Sequence, residues 1–419
     1  MIALFIESIV LARILGAASF GDYAVILTMI TIFAGSISIK TQEALTKVLS
    51  TPWGLPIKIG KEYIALALTL DLALKVIIGM ILYFVMLIFL NQFVEGDIDF
   101  NLIAIVAASS CIFSFPNNVW NSIARLENSF ILIAALPLAF PILRLLAVFF
   151  FIPFDNPSVE SLILIYGITI GFMCLLQSIW IWHRSKSVGF GFLPNNSLRD
   201  FWSNNETLVF LDLVKTAFFI SPITSVLKNI DVLALGYLGT SGEVGVYKVA
   251  KSAAGTLSGI QSILSNIIFR NVVQAESDGG LMENFWQTTK ALPKIYGTLA
   301  LPFSLILVVG TYLLPLIFGE QFSGAALPFW ILGFGFFLSA GLFWVVSFVL
   351  ALERFGAYRK MMWANASVSL LLIIALTNWY GLLGAAMGTA MAYVLGHLVF
   401  FAFLHHHFET LGSKRMTKI

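Results

Sequence analysis

The chain reads as an all-α polytopic membrane protein, with twelve transmembrane helices in two six-helix lobes. Three observations predict this. Hydrophobic residues make up 59% of the 419 and charged residues only 11%. The charges collect in short gaps between apolar runs, each about the ~20 residues a helix needs to cross ~30 Å of hydrocarbon. A glycine-bearing hairpin signature also recurs one six-helix unit further along. Backbone at membrane depth must satisfy its own hydrogen bonds, which leaves helices or a closed barrel. Long runs without period-2 alternation exclude the barrel.

The spans are expected at 1–16, 21–39, 62–91, 101–123, 129–153 and 160–182, then 207–230, 245–269, 291–318, 325–352, 361–379 and 382–404. The first is only ~24 Å long at 1.5 Å per residue. With no basic start and no cleavage site it is not expected to be a cleaved signal peptide. It is expected either to be a short, tilted helix or to continue a longer natural one. In the third span the only charges between Tyr63 and Gln92 are Asp71 and Lys75; in the fifth, Arg144 is the only one between Ser129 and Pro153. The longest gaps, about 40–61, 183–206 and 270–290, read as cytoplasmic connectors. This gives an N-lobe at 1–190, a linker at 191–206, a C-lobe at 207–405 and a tail at 406–419.

Lys and Arg in the loops set the orientation. One side carries Lys40, Lys47, Lys58, Lys61, Arg125, Arg184, Lys186, Arg199, Arg270, Lys290, Arg354, Arg359 and Lys360. The other carries Asp22, Glu95, Asp97, Asp99, Asp155, Asp231, Glu243 and Glu320, with no Lys or Arg in its loops. The first side, with both termini, is expected to be cytoplasmic. Net charge, +2, says little beside this asymmetry. Cys111 and Cys174 read as small core residues without a disulfide framework.

The repeated hairpin reads Leu15-Gly16 … Gly21-Asp22-Tyr23 near the start and Leu238-Gly239 … Gly245-Val246-Tyr247 in the second half. Gly16 and Gly239 are expected to end their helices in the left-handed conformation, while Gly21 and Gly245 let the next helix start close by. Six spans per copy is an even number, so both lobes have the same orientation, related by an axis along the membrane normal.

These hairpins carry a resemblance to a known family. Leu11-Ala12-Arg13-Ile14-Leu15-Gly16 with Phe20-Gly21-Asp22-Tyr23 resembles the first hairpin of the Wzx-type polysaccharide flippases. Asn229-Ile230-Asp231 with Leu235-Gly236-Tyr237-Leu238-Gly239 and Val244-Gly245-Val246-Tyr247 is similar to their second. Leu314-Pro315-Leu316-Ile317-Phe318-Gly319-Glu320-Gln321-Phe322 and the stretch Tyr380–Ala390 match further on, in order. The resemblance implies membership of the multidrug/oligosaccharidyl-lipid/polysaccharide exporter superfamily. It implies two lobes around a central cavity and export of undecaprenyl-pyrophosphate-linked oligosaccharide (O-antigen, capsule or exopolysaccharide units of lipopolysaccharide-type pathways). Expected partners are that lipid, membrane lipids, a polysaccharide polymerase and a chain-length regulator. The expected location is the bacterial inner membrane.

Ionisable residues inside hydrocarbon cost roughly 2.5–3.5 kcal/mol each on insertion scales, so each is a site candidate. Arg144 follows Pro137 and Pro141 in the fifth span. Its guanidinium could hold two pyrophosphate oxygens or snorkel to the outer interface. Lys215 and Asp212 are three apart and Asp71 and Lys75 four apart, so each pair shares a helix face. Each is either a neutralising structural pair or a coupling carboxylate whose Lys is released on binding. Lys248 and Lys251 follow Tyr247 in the eighth span, lining a cavity or, for Lys248, snorkelling. Arg13 reads as a helix-end residue. His405-His406-His407 point about 100° apart on a helix and cannot converge on one metal. No cofactor, nucleotide-binding loop or catalytic constellation is expected, and scattered basic residues argue against nucleic acid.

Intramembrane cations at 75, 144, 215, 248 and 251 outnumber carboxylates at 7, 71 and 212. That favours a substrate bearing phosphates. The alternative, a multidrug exporter of organic cations, would favour buried carboxylates. A membrane polysaccharide polymerase would need a longer outer loop with catalytic residues.

Overall fold

A computed structural model describes residues 2–36, 57–96, 98–127, 129–151, 157–186, 221–256, 272, 280–352 and 355–416. Among them there is helix and no strand. The helices are α1 (Ile2–Ser36), α2 (Ile57–Phe89), α3 (Phe100–Phe113), α4 (Asn117–Leu126), α5 (Phe130–Phe151) and α6 (Val159–Lys186). There follow a helical stretch at 221–227, α7 (Ile230–Leu238), α8 (241–256), α9 (Leu281–Lys290), α10 (Leu292–Phe318), α11 (Ala326–Ala340), α12 (Val345–Ala351) and α13 (Phe355–Met416).

Seven stretches among the described residues are long and apolar enough to cross a membrane: Ala3–Gly35, Ile64–Gln92, Phe100–Arg125, Val159–Arg184, Leu292–Phe318, Glu320–Ala340 and Gly356–Thr410. The first and last are double. α1 turns at Gly16 (φ 75°) and α13 at Gly381 (φ 53°), between the spans expected there. Large apolar side chains on the surface, among them Ile131, Phe151, Ile168, Leu301 and Leu316, are 69–86% exposed. In water such a surface would aggregate; in a bilayer it meets lipid tails.

The chain forms two compact units: residues 22–229, and residues 1–21 with 230–419. In the first, α2 lies along α3, α3 along α6, and α5 along α6. Ala67, Leu68, Val119, Trp120 and Ile181 form a core there, with Trp120 edge-on to Trp180. In the second, α11 and α7 pack on α13. An aromatic cluster of Phe285, Trp344, Phe348, Phe400 and Phe408 seats α9 against α12 and α13. The connector expected at 270–290 therefore contains a helix whose Phe285 is a core residue.

Four expectations need correction. The fourth span is two helices, because Pro116 has no N–H to offer Ile112. Phe115 bonds that carbonyl instead (3.1 Å), and Ser114 Oγ takes the Cys111 carbonyl (2.7 Å). The tenth span breaks at 341–344, where the Tyr296 ring lies against Gly341. The Tyr296 hydroxyl donates to the Leu338 carbonyl at 2.5 Å, and Leu342 N turns to Ser339 (3.0 Å). The seventh span does not end the helical chain at 230: after a turn at 228–229 a further helix, α7, covers Ile230–Leu238 and holds Asp231. Gly239 does not take the left-handed conformation. A reciprocal cap makes that turn: Glu243 N donates to Thr240 Oγ1 (3.3 Å) and Thr240 N to Glu243 Oε2 (3.0 Å).

Two of the resembling motifs pack on one another. Arg13 donates from Nε to the Ile317 carbonyl (2.5 Å) and from Nη2 to Leu316 (2.6 Å), capping the C-terminus of α10. Gln321 accepts from Ala17 N (3.3 Å), while Phe5 meets Phe318 and Phe20 meets Phe322 edge-on. Arg13 is thus a helix-end residue, as expected, but for a distant helix. Arg13→Ala should lower the thermal midpoint by the equivalent of about 1–2 kcal/mol, two exposed charge-assisted bonds at a helix C-terminus. Arg13→Lys should recover part of it, measured by thermal unfolding in detergent.

Candidate functional site

In the unit of residues 1–21 and 230–419, three helices bring a charged cluster together. α7 supplies Asp231 in its first turn, α8 supplies Tyr247, Lys248 and Lys251, and α13 supplies Thr389 beyond the Gly381 turn. Tyr247 and Lys251 are four apart and so share a face of α8. Lys251 lies ~15 Å along α8 from its first residue at 1.5 Å per residue.

Asp231 is the centre of the cluster. Its Oδ1 accepts from Lys251 Nζ at 2.7 Å and from Val232 N at 2.9 Å. Its Oδ2 accepts from the Tyr247 hydroxyl at 2.5 Å and from Thr389 Oγ1 at 3.1 Å. Tyr247 and Thr389 oxygens are 3.1 Å from each other. The Asp231 side chain is 1% exposed and that of Lys251 16%. Lys248 is partly buried and interacts electrostatically with both Lys251 and Asp231. Among the described residues no carboxylate lies at ion-pair distance from Lys248. One carboxylate thus interacts with two ammonium groups on the same helix.

The sequence reading placed Asp231 in an outer loop, and the structure corrects this. The apolar run Val232–Leu238 that follows it is the signal for a continuing helix. Tyr247 and Thr389 had no signal of their own, since nothing in spacing links residues 142 apart.

The unit of residues 22–229 holds its own polar interior. Asp71 and Lys75 are 1% and 4% exposed. Asp71 Oδ2 accepts from Asn118 Nδ2 (3.3 Å), and Lys75 Nζ donates to the Ala34 carbonyl. The two residues also attract one another electrostatically. Arg144 is 6% exposed and packs against protein: its guanidinium carbon lies 4.6 Å from the Phe140 ring centre and 5.0 Å from that of Tyr166. Such cation–π contacts are worth ~0.5–2 kcal/mol. Beside Phe140 a cavity of ≈ 280 Å³ opens at the α3–α4 break, with Ser114, Asn117 and Gln177 as its polar lining. Asp212 and Lys215 lie outside the described residues.

A groove of ≈ 550 Å³ runs between α11 and the second half of α13. Trp330, Phe334, Leu338, Met387, Met391 and Val394 line it, and the surface they present is apolar. Near the tail, the His405 ring packs edge-on against Trp286, and its Nδ1 is 3.5 Å from Glu409.

No family profile matches the chain, and no curated protein matches it. Solved structures do share its fold. It is similar to lipid II flippase MurJ in an inward closed conformation, with TM-score 0.72 and 13% identity over 96% of this chain and 85% of that one. An inward-facing multidrug resistance MATE family transporter of the MOP superfamily matches with TM-score 0.69 and 13% identity, over 98% and 95%. A point mutant of the Vibrio cholerae MATE transporter VcmN matches with TM-score 0.59 and 14% identity, over 97% and 94%. The chain has the fold of these membrane transporters.

Proposed function

We propose that this protein is a carrier, not an enzyme, that moves polyprenyl-pyrophosphate-linked oligosaccharide across the bacterial cytoplasmic membrane by alternating access. The observation that carries this is the pair of ammonium groups, Lys248 and Lys251, gathered on one face of a helix around the buried Asp231 carboxylate. The cluster is largely enclosed by protein, in a fold shared with a lipid II flippase. Two neighbouring ammonium groups suit the two phosphates of a pyrophosphate. In this reading the chain has twelve spans in two lobes, 1–190 and 207–405, with both termini cytoplasmic. Lys248, Lys251, Arg144 and Lys215 contact the pyrophosphate, while Asp71–Lys75 and Asp212–Lys215 serve as structural or coupling pairs. The polyprenyl chain stays among lipid tails, for which the apolar groove between α11 and α13 is a fitting surface. Substrate would be an O-antigen, capsule or exopolysaccharide unit handed on to a polymerase and chain-length regulator.

The competing reading is export of organic cations, since multidrug transporters share the fold as fully. Asp231 argues against it, because four donors already occupy that carboxylate. Proteoliposomes separate the two. The wild-type protein should accelerate flipping of a polyprenyl-pyrophosphate saccharide and leave ethidium untouched. Lys248→Gln and Arg144→Ala should each cut flipping about tenfold or more at equal insertion, because a charged hydrogen bond to phosphate is worth about 1.5–3 kcal/mol. Arg144→Lys should restore part, a point charge lacking the bidentate fork. Ethidium transport with no lipid flipping would overturn the proposal, as would full flipping by the Lys248→Gln/Arg144→Ala double variant.

A further inference from the structure

The Asp231 carboxylate is held in an unusual way for a simple ion pair. Three of its four donors, Val232 N, Tyr247 Oη and Thr389 Oγ1, do not depend on Lys251. If Lys251 left, the carboxylate would keep its place and most of its hydrogen bonds. Lys251 is different in kind: a compact charge with three rotatable donors on a flexible four-carbon stem. It can turn to a new acceptor without moving α8. Lys248, three residues away on the same helix, offers a second ammonium that no described carboxylate claims.

From this geometry we infer that Asp231 is the site's internal anion. It holds Lys251 while the site is empty and yields it to the pyrophosphate of an incoming lipid. The inference rests on the phosphate-carrier reading above and adds how that site is emptied. When the lipid is bound, its two phosphates balance Lys248 and Lys251, and Asp231 is kept by its hydroxyl and backbone donors. When the lipid leaves, Lys251 returns to a carboxylate that has not moved. Affinity is thereby lowered by competition within the site, which favours release at the far side of the membrane. A tight pyrophosphate site without such a competitor would trap its cargo.

Binding of farnesyl pyrophosphate to the full-length protein in nanodiscs tests this. Asp231→Asn should bind it at least tenfold more tightly than wild type and release it correspondingly more slowly. Asp231→Glu, which keeps the charge, should not. In a Lys251→Gln background the Asp231→Asn change should no longer tighten binding. Lys248→Gln separates the two layers. If it weakens binding while Asp231→Asn fails to tighten it, the internal-anion inference falls and the carrier reading stands. If Lys248→Gln leaves binding unchanged, the phosphate site itself is wrong and both fall. Inorganic pyrophosphate should bind at least tenfold more weakly than the farnesyl compound; equal affinity would make this a site for a free anion and overturn its assignment to a lipid. The wild-type chain provides a check should Asp231→Asn not fold. Labelling of Asp231 by a hydrophobic carbodiimide should rise severalfold when farnesyl pyrophosphate is added, and unchanged labelling at saturation would overturn the inference.

Discussion

Gly21→Val and Gly245→Val should each abolish the folded protein or cost about 3 kcal/mol or more of stability, beyond the usual ~1–3 kcal/mol of an overpacked side chain. The two glycines sit where α1 and α8 cross. A Cβ on Gly21 would lie 1.8 Å from the Ser241 carbonyl oxygen, and one on Gly245 would lie 2.0 Å from that of Ala17. The contact is reciprocal: each glycine meets the backbone of the residue four before the other. The pattern is therefore Ala17-x-x-x-Gly21 against Ser241-x-x-x-Gly245, small residues that let two membrane helices touch backbone to backbone. No rotamer change relieves a clash with a carbonyl, so the helices must separate. Even Gly→Ala should fail at both sites. Gly297→Ala is the control, because a Cβ there meets nothing within 4 Å. It should be neutral or gain up to ~1 kcal/mol of helix propensity. The measurement is the yield of monodisperse protein and its thermal midpoint. Normal yield and midpoint for Gly21→Val would show that the crossing does not form.

What the sequence made legible follows the range of the forces involved. Hydrocarbon depth acts on every residue of a run, so the apolar helices that the structure describes were readable from composition. The Leu-Gly … Gly-x-Tyr repeat was legible because close approach leaves glycine as the only residue that fits, and the two copies meet each other at those glycines. Gly16 takes the left-handed turn expected of it, whereas Gly239 does not, because Thr240 and Glu243 close that turn with side chains. Pro116 was visible locally and its break could have been read. The break at Gly341 could not, since it depends on Tyr296, far earlier in the chain and in another helix. Lys251 was legible as a charge at depth. Its partner was not, because the seventh span was ended at 230 and Asp231 was counted as a loop acid. Tyr247 and Thr389 are ordinary helix residues whose meaning comes from the carboxylate they share.

The last expectation concerns what the Asp231–Lys251 pair contributes to stability. Asp231→Leu alone should destabilise the protein by about 3–5 kcal/mol, because it removes the buried carboxylate that Lys251, Tyr247 and Thr389 all donate to. Lys251→Met alone should cost less, since Val232, Tyr247 and Thr389 still donate to the carboxylate. The double change Asp231→Leu/Lys251→Met should recover most of the loss. Removing both partners of a buried pair in favour of apolar residues is often neutral or stabilising. The two hydroxyls left behind can satisfy each other, as Tyr247 and Thr389 are already 3.1 Å apart. A thermodynamic cycle over the four proteins, followed by thermal unfolding in detergent, gives the coupling directly. Additive losses would mean that the pair contributes nothing as a pair. Recovery of stability together with loss of lipid flipping is the expected result, because it places the two charges in transport and not in holding the fold.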